Sequence, residues 1–215
     1  MKTLLMAGAA AFAFAVLAGP ASAEDNTFGP EPSYNWSGLY LGLQGGYGWS
    51  KDDWAASNVS FDSDGMLLGG TAGFNGDTGS WVFGAEADIA WADISGEQSA
   101  CSLGGGCETK MEYFGTFRGR LGYDLGSVDQ GLLVYGTGGI AIGGLNYKSA
   151  GGGEDFNTGT GWVLGGGVET TFGDKSSAKL EYLHYELEAD ATLSTAAFNP
   201  HTKGEIVRAG YNIRF

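Results

Sequence analysis

Two histidines, two cysteines and eleven basic residues are all that this 215-residue chain offers to the chemistries that depend on them. His184 sits in EYLHYELE and His201 follows Pro200, and no Gly-x-Ser-x-Gly elbow accompanies either. The base-and-nucleophile pairs of hydrolases are therefore missing, so no catalytic residue is assigned and no enzyme is expected. Two cysteines and two scattered histidines give no metal-ligand spacing, and glycine runs such as GGGED at 151–155 lead into no Lys-Ser/Thr pair of a phosphate loop. Neither a metal nor a cofactor is expected. The 25 acidic residues far outnumber the basic ones, a balance that opposes nucleic-acid binding.

Long hydrophobic runs are also scarce. The one candidate, Leu4 to Ala18, falls short of the roughly 20 residues that a membrane-spanning helix needs. It follows Met1-Lys2 and precedes Gly19-Pro20 and Ala21-Ser22-Ala23, the layout of a secretory signal peptide with cleavage after Ala23. Removing residues 1–23 takes away one lysine and no acid, leaving 10 basic residues against 25 acidic in a stretch long enough for one domain. No segment beyond it holds a helical period.

Glycine and aromatics are what the chain has in quantity, 40 residues and 13% respectively. Disorder pairs glycine with few aromatics, so this combination points to close-packed strands and turns. From Trp36 onward the pattern alternates with period two in eight segments, near 37–49, 64–75, 80–92, 111–123, 131–143, 161–172, 178–188 and 206–215. The links NGDTG, DLGSVDQ and GDKSS are short and rich in turn formers, whereas those around 50–63, 93–110, 144–160 and 189–205 are longer. Short and long links that alternate between an even number of strands describe an eight-stranded antiparallel, up-and-down transmembrane β-barrel, all-β, with both termini at the short-turn end.

A soluble barrel also alternates, so the deciding feature is what caps the apolar face. Trp81 and Trp91, Tyr113 and Tyr123, and Trp162 and Phe172 bracket apolar faces at a constant interval of ten residues, and Trp49 ends the first strand in the same way. At ~3.3 Å per residue and a tilt near ~40°, that interval rises about 25 Å, the height of the lipid-facing band between two aromatic girdles.

The last strand, VRAGYNIRF, ends with Phe215 on its apolar face, which resembles the C-terminal signature read by the barrel-assembly machinery of bacterial outer membranes. NWSGLYLGLQGGYGWS (35–50), WVFGAEADIAW (81–91), YFGTFRGRLGY (113–123) and LVYGTGGIAIG (133–143) resemble the small outer-membrane barrels of alphaproteobacteria, the surface-antigen or opacity-like "porin family". The resemblance covers nearly all of the chain after residue 23. It implies an outer-membrane barrel in a Gram-negative bacterium, with extracellular loops and periplasmic termini, in contact with outer-membrane lipid, lipopolysaccharide and a host or cell-surface ligand of the loops.

Parity then assigns the charges. With the aromatic caps facing lipid, Glu86, Asp88, Glu112, Glu169 and Glu181 face inward together with Arg118, Arg120, Lys179, Arg208 and Arg214. Eight strands leave an interior just wide enough for side chains, so these ten are expected to form a lumen salt-bridge network. Cys101 and Cys107 flank SLGGG in the second long link, and export to an oxidising compartment makes a local disulfide the expectation. The domain reading is a cleaved signal peptide (1–23), a short periplasmic segment (24–35) and the barrel (36–215). The functional expectation is a structural and surface-display barrel with a filled lumen; the alternative is a narrow small-solute channel.

Overall fold

Alternation along each segment decides which residues meet water, lipid or one another, and in the computed structural model the odd-numbered Leu39, Leu41 and Leu43 face outward while Tyr40 and Gln44 turn inward. The structure describes residues 34–54, 59–101, 105–127, 130–149, 153–188, 191–193, 196–198 and 201–215. The expected signal peptide lies outside them, as does all but the end of the short segment that was expected to follow it.

The strands are β1 (Gly38–Trp54), β2 (Val59–Asp77), β3 (Trp81–Cys101), β4 (Gly105–Asp124), β5 (Leu132–Ser149), β6 (Gly153–Phe172), β7 (Ser176–Glu188), β8 (Ala191–Leu193), β9 (Ala196–Phe198) and β10 (His201–Arg214). Strands β1 to β7 and β10 form one closed barrel of antiparallel neighbours, sealed where β1 pairs with β10 from Tyr40 opposite Arg214 to Asp53 opposite His201. Closure leaves no edge strand around the barrel wall, the condition for crossing a bilayer with strands. The small β8–β9 hairpin forms a separate sheet within the link from β7 to β10.

The strands overrun their expected ends. β3 and β4 remain paired out to Cys101 opposite Gly105, and β5 and β6 out to Ser149 opposite Gly153, so stretches read as loops are largely ladder. In those stretches the apolar–polar alternation that marks a strand is missing from the sequence although the ladder continues. At the other end the turns are tight: Gly79 and Gly173 adopt φ of 83° and 65°, which suits glycine. In the turn between β4 and β5 the Asp124 carboxylate accepts from the N–H groups of Gly126 (3.0 Å) and Leu132 (3.1 Å).

Register follows the aromatic caps. Trp81 lies opposite Tyr123, Trp91 opposite Tyr113, and midway between them Glu86 opposite Arg118. Above this level β4 carries a bulge, where pairing with β5 shifts between Tyr113 and Met111. The extra residue reverses the parity of the strand, so Phe114 and Met111 both point inward and Glu112 is exposed. The inward assignment of Glu112 is thereby corrected: period two holds only until a bulge intervenes.

Candidate functional site: the filled lumen

Seven barrel strands send polar groups to one buried cluster at mid-height, and Arg118, with no exposed surface, lies at its centre. Its Nη2 donates to Glu86 and to Asp88 (3.0 Å), its Nη1 to Glu181 (2.9 Å) and Thr137 (3.3 Å), and its Nε to Thr116 (2.9 Å). Arg208 forks onto Asp88, with Nη1–Oδ1 at 3.0 Å and Nη2–Oδ2 at 3.1 Å, while its Nε donates to Glu181 at 2.6 Å. Arg120 donates to Glu169 (2.7 Å) and Tyr40 (3.2 Å), and its guanidinium carbon lies 4.1 Å from the centre of the Tyr135 ring. Lys179 reaches Glu86 at 2.7 Å.

Hydroxyls and an amide complete the cluster. Tyr40 donates to Glu86 (2.7 Å), Tyr135 to Glu181 (3.1 Å), Thr116 to Asp88 (2.6 Å) and the Asn212 amide to Glu169 (2.9 Å). Each carboxylate thus has both a cation and a neutral donor, as a buried charge requires. Four acids (Glu86, Asp88, Glu169, Glu181) face four bases (Arg118, Arg120, Lys179, Arg208), so the formal charge of the cluster is zero.

Arg214 is buried but lies apart from this cluster. Its guanidinium donates to the Asn35 carbonyl and sits 4.9 Å from the Tyr34 ring and 5.2 Å from the Trp36 ring, with no carboxylate partner among the described residues. Tyr34 and Trp36, from the segment just before β1, fold back into the short-turn mouth of the barrel. The Tyr34 hydroxyl donates to the Asp174 carbonyl at 2.7 Å, and Asp77 accepts the Trp36 N–H at 2.8 Å. Trp36 is fully buried, packed with Val82, Leu133 and Tyr135. This corrects the placement of Arg214 in the salt-bridge network: it holds an aromatic plug.

On the other side of the charged cluster the lumen becomes apolar. Phe114, Tyr185, Leu183, Leu187, Ile94, Leu145 and Ile206 are buried together, with the Phe114 and Tyr185 ring centres 5.0 Å apart. Sequence reasoning assigned the lumen only charges. The missing layer was available on parity, since Leu183, Tyr185 and Leu187 alternate in step with Lys179 and Glu181. The plug had no such signal, because Tyr34 and Trp36 precede the first strand.

Outside, Trp49, Trp81, Trp91, Tyr123, Trp162 and Phe172 are exposed, and Tyr113 is partly so. Trp81 and Tyr123 meet edge to face at 5.3 Å, and between the two aromatic levels lie exposed Leu43, Leu68, Ile89, Phe117, Leu121 and Leu164. Phe215 is exposed on the same surface, its N–H donating to the Leu39 carbonyl at 2.9 Å. His184 lies on the outer face, 5.4 Å from the Trp162 ring, between Glu186 (3.8 Å) and Glu205 (3.7 Å). The backbone of Cys101 lies opposite Gly105 and that of Cys107 opposite Gln98; both cysteine side chains, and that of His201, fall outside the described residues.

A closed antiparallel eight-stranded barrel, apolar outside between aromatic levels and ion-paired within, defines the class of integral barrels of bacterial outer membranes. Comparison with known proteins agrees. The chain belongs to the outer membrane protein beta-barrel domain family, whose model matches residues 6–215. It is 32% identical over 249 residues to the 31 kDa outer-membrane immunogenic protein of Brucella melitensis biotype 1, covering all of both chains. It is 28% identical over 188 residues to the 22 kDa outer membrane protein of Rhizobium leguminosarum bv. viciae, covering 86% of this chain and 81% of the relative. Among solved structures it resembles Neisserial surface protein A, with a TM-score of 0.49 and 13% identity over 83% of this chain and 98% of that one.

Proposed function

We propose that the protein is a non-enzymatic structural and surface-display barrel. Its closed wall anchors four long hairpin links at the cell surface, where they meet lipopolysaccharide and external partners. The termini and short turns face the periplasm, and Phe215 is the feature read by the assembly machinery. The observation that carries this reading is the lumen, which is occupied at three successive levels by the Trp36 plug, the Arg118 cluster and the Phe114–Tyr185 layer. A solute would have to displace paired charges and packed side chains in turn, so the reading of a small-solute channel is disfavoured. The names of the Brucella relatives describe immunogenic outer-membrane proteins, which supports display of the loops.

Labelling of intact cells tests the orientation. In a background with Cys101 and Cys107 replaced by serine, an impermeant maleimide should label Ser95→Cys and leave Lys175→Cys unlabelled. The reverse pattern would overturn it. Purified protein in a planar bilayer should show no stable porin-sized conductance, and reproducible large steps would restore the channel.

A further inference from the structure

Between Tyr40 and Ser50 the inner face of β1 carries Gly42, Gln44, Gly46 and Gly48, so Gln44 is the one side chain that this strand sends into the middle of the lumen. Directly opposite it stand Gly69 on β2 and, across the seam that closes the barrel, Gly210 on β10. Its nearest same-face neighbours along the strand and across both ladders are therefore all glycines, with no side chain to meet its amide. Gln44 is buried, and neither its Oε1 nor its Nε2 has a hydrogen-bond partner among the described residues. A buried amide left in that condition costs folding free energy at both atoms, which is why such groups in proteins are satisfied by protein or by ordered water.

A small cavity lies against this amide, at the junction of two levels of the lumen. Gln44 and Arg208 line it from the charged cluster, and Leu67, Ala90 and Ile206 line it from the apolar layer. It leaves about 10 Å³ for the centre of a water-sized sphere, room for one water molecule and for nothing larger. Cavities that stay dry are apolar throughout, and a held water needs at least two polar partners. Gln44 offers an acceptor and a donor, and Arg208 Nη1 gives one of its two hydrogens to Asp88 at 3.0 Å and has the other to offer. We infer that this site binds a single water molecule, held by Gln44 on β1 and Arg208 on β10. The water ties together through side chains the two strands that the ladder joins through the backbone. An anion does not suit the site, because Arg208 already faces Asp88 and Glu181 and a halide is larger than water.

Two measurements on the wild-type barrel test the site. A high-resolution crystal structure of the protein in detergent should show one spherical density peak within hydrogen-bonding distance, ~2.7–3.2 Å, of the Gln44 amide and of Arg208 Nη1. In solution, NMR of the same sample should give cross peaks between water and the Gln44 side-chain amide hydrogens, with opposite signs in laboratory-frame and rotating-frame experiments, the mark of a held water rather than of proton exchange. Gln44→Met keeps the length of the side chain and removes both polar atoms; its structure should lose the density peak and keep the Arg208 fork on Asp88. Crystals soaked in bromide should show no anomalous signal at the site, and a signal there would overturn water in favour of an anion. Absence of the peak, or a Gln44 amide turned directly onto Asn212, whose Oδ1 is also without a partner among the described residues, overturns the inference. A peak unchanged in Gln44→Met overturns Gln44 as its holder. Should that variant not fold, the wild-type density and cross peaks decide.

Discussion

Replacing Arg118 by methionine keeps most of the side-chain volume and removes the charge that three carboxylates share. Each of the three retains another cation: Glu86 has Lys179 at 2.7 Å, and Arg208 serves both Asp88 at 3.0 Å and Glu181 at 2.6 Å. The loss should therefore be that of one broken buried ion pair, about 3–5 kcal/mol, rather than three. With a urea slope of about 2 kcal/mol per molar, the unfolding midpoint of the barrel in detergent, followed by tryptophan fluorescence, falls by about 2 M. The variant leaves four acids facing three bases, and the structure indicates which acid to neutralise. Asp88→Asn leaves Glu86 with Lys179, Glu181 with Arg208 and Glu169 with Arg120, three intact pairs. Glu86→Gln restores the same formal balance but takes from Lys179 its one carboxylate among the described residues. Arg118→Met with Asp88→Asn should thus recover more of the lost stability than Arg118→Met with Glu86→Gln. An unchanged midpoint for Arg118→Met, or the opposite order of rescue, would refute the account of the cluster.

Two further outcomes are expected. Trp36→Ala empties the plug and should lower the unfolding free energy by about 3–5 kcal/mol, the usual loss for a buried tryptophan, and the same midpoint with it, while the barrel still folds; an unaltered midpoint would mean that the plug contributes nothing. Thiol alkylation of the intact, unreduced protein should find neither Cys101 nor Cys107 free, and reduction should leave the barrel folded, because the bridge would close only a short loop worth ~2–3 kcal/mol. Labelling of native Cys101 would contradict the disulfide.

Where one face met lipid and the other the lumen, the sequence was readable. The Trp81–Trp91 and Tyr113–Tyr123 intervals set both the strands and their register, down to Glu86 opposite Arg118. Legibility stopped where that contrast stopped. Beyond Ser95 the pairing of β3 with β4 runs on to Cys101, and no alternation in the sequence announced it. At Glu112 a single extra residue inverted the count, and nothing in MEYF distinguishes a bulge from regular pairing. Arg214 followed the parity correctly and still found different company, because its partners Tyr34 and Trp36 come from a segment with no periodicity. The apolar layer was a different kind of miss: its residues share the lumen-facing parity, but charges drew the reading because they are conspicuous against so few others.

The Arg118 cluster also bears on how the barrel is made. Its members come from residues as far apart as Asp88 and Arg208, 120 positions away, and from strands at both ends of the chain. A sheet lacking its last strand has the carboxylates of Asp88 and Glu181 without the Arg208 fork, and would present an excess of negative charge toward hydrocarbon. Loop-closure entropy must be met in full before those contacts return anything, so half-assembled forms gain little from the cluster and the closed form gains all of it at once. The interior thus favours all-or-none insertion, and a chain stalled before β10 docks on β1 is the species that surveillance proteases should find easiest to recognise.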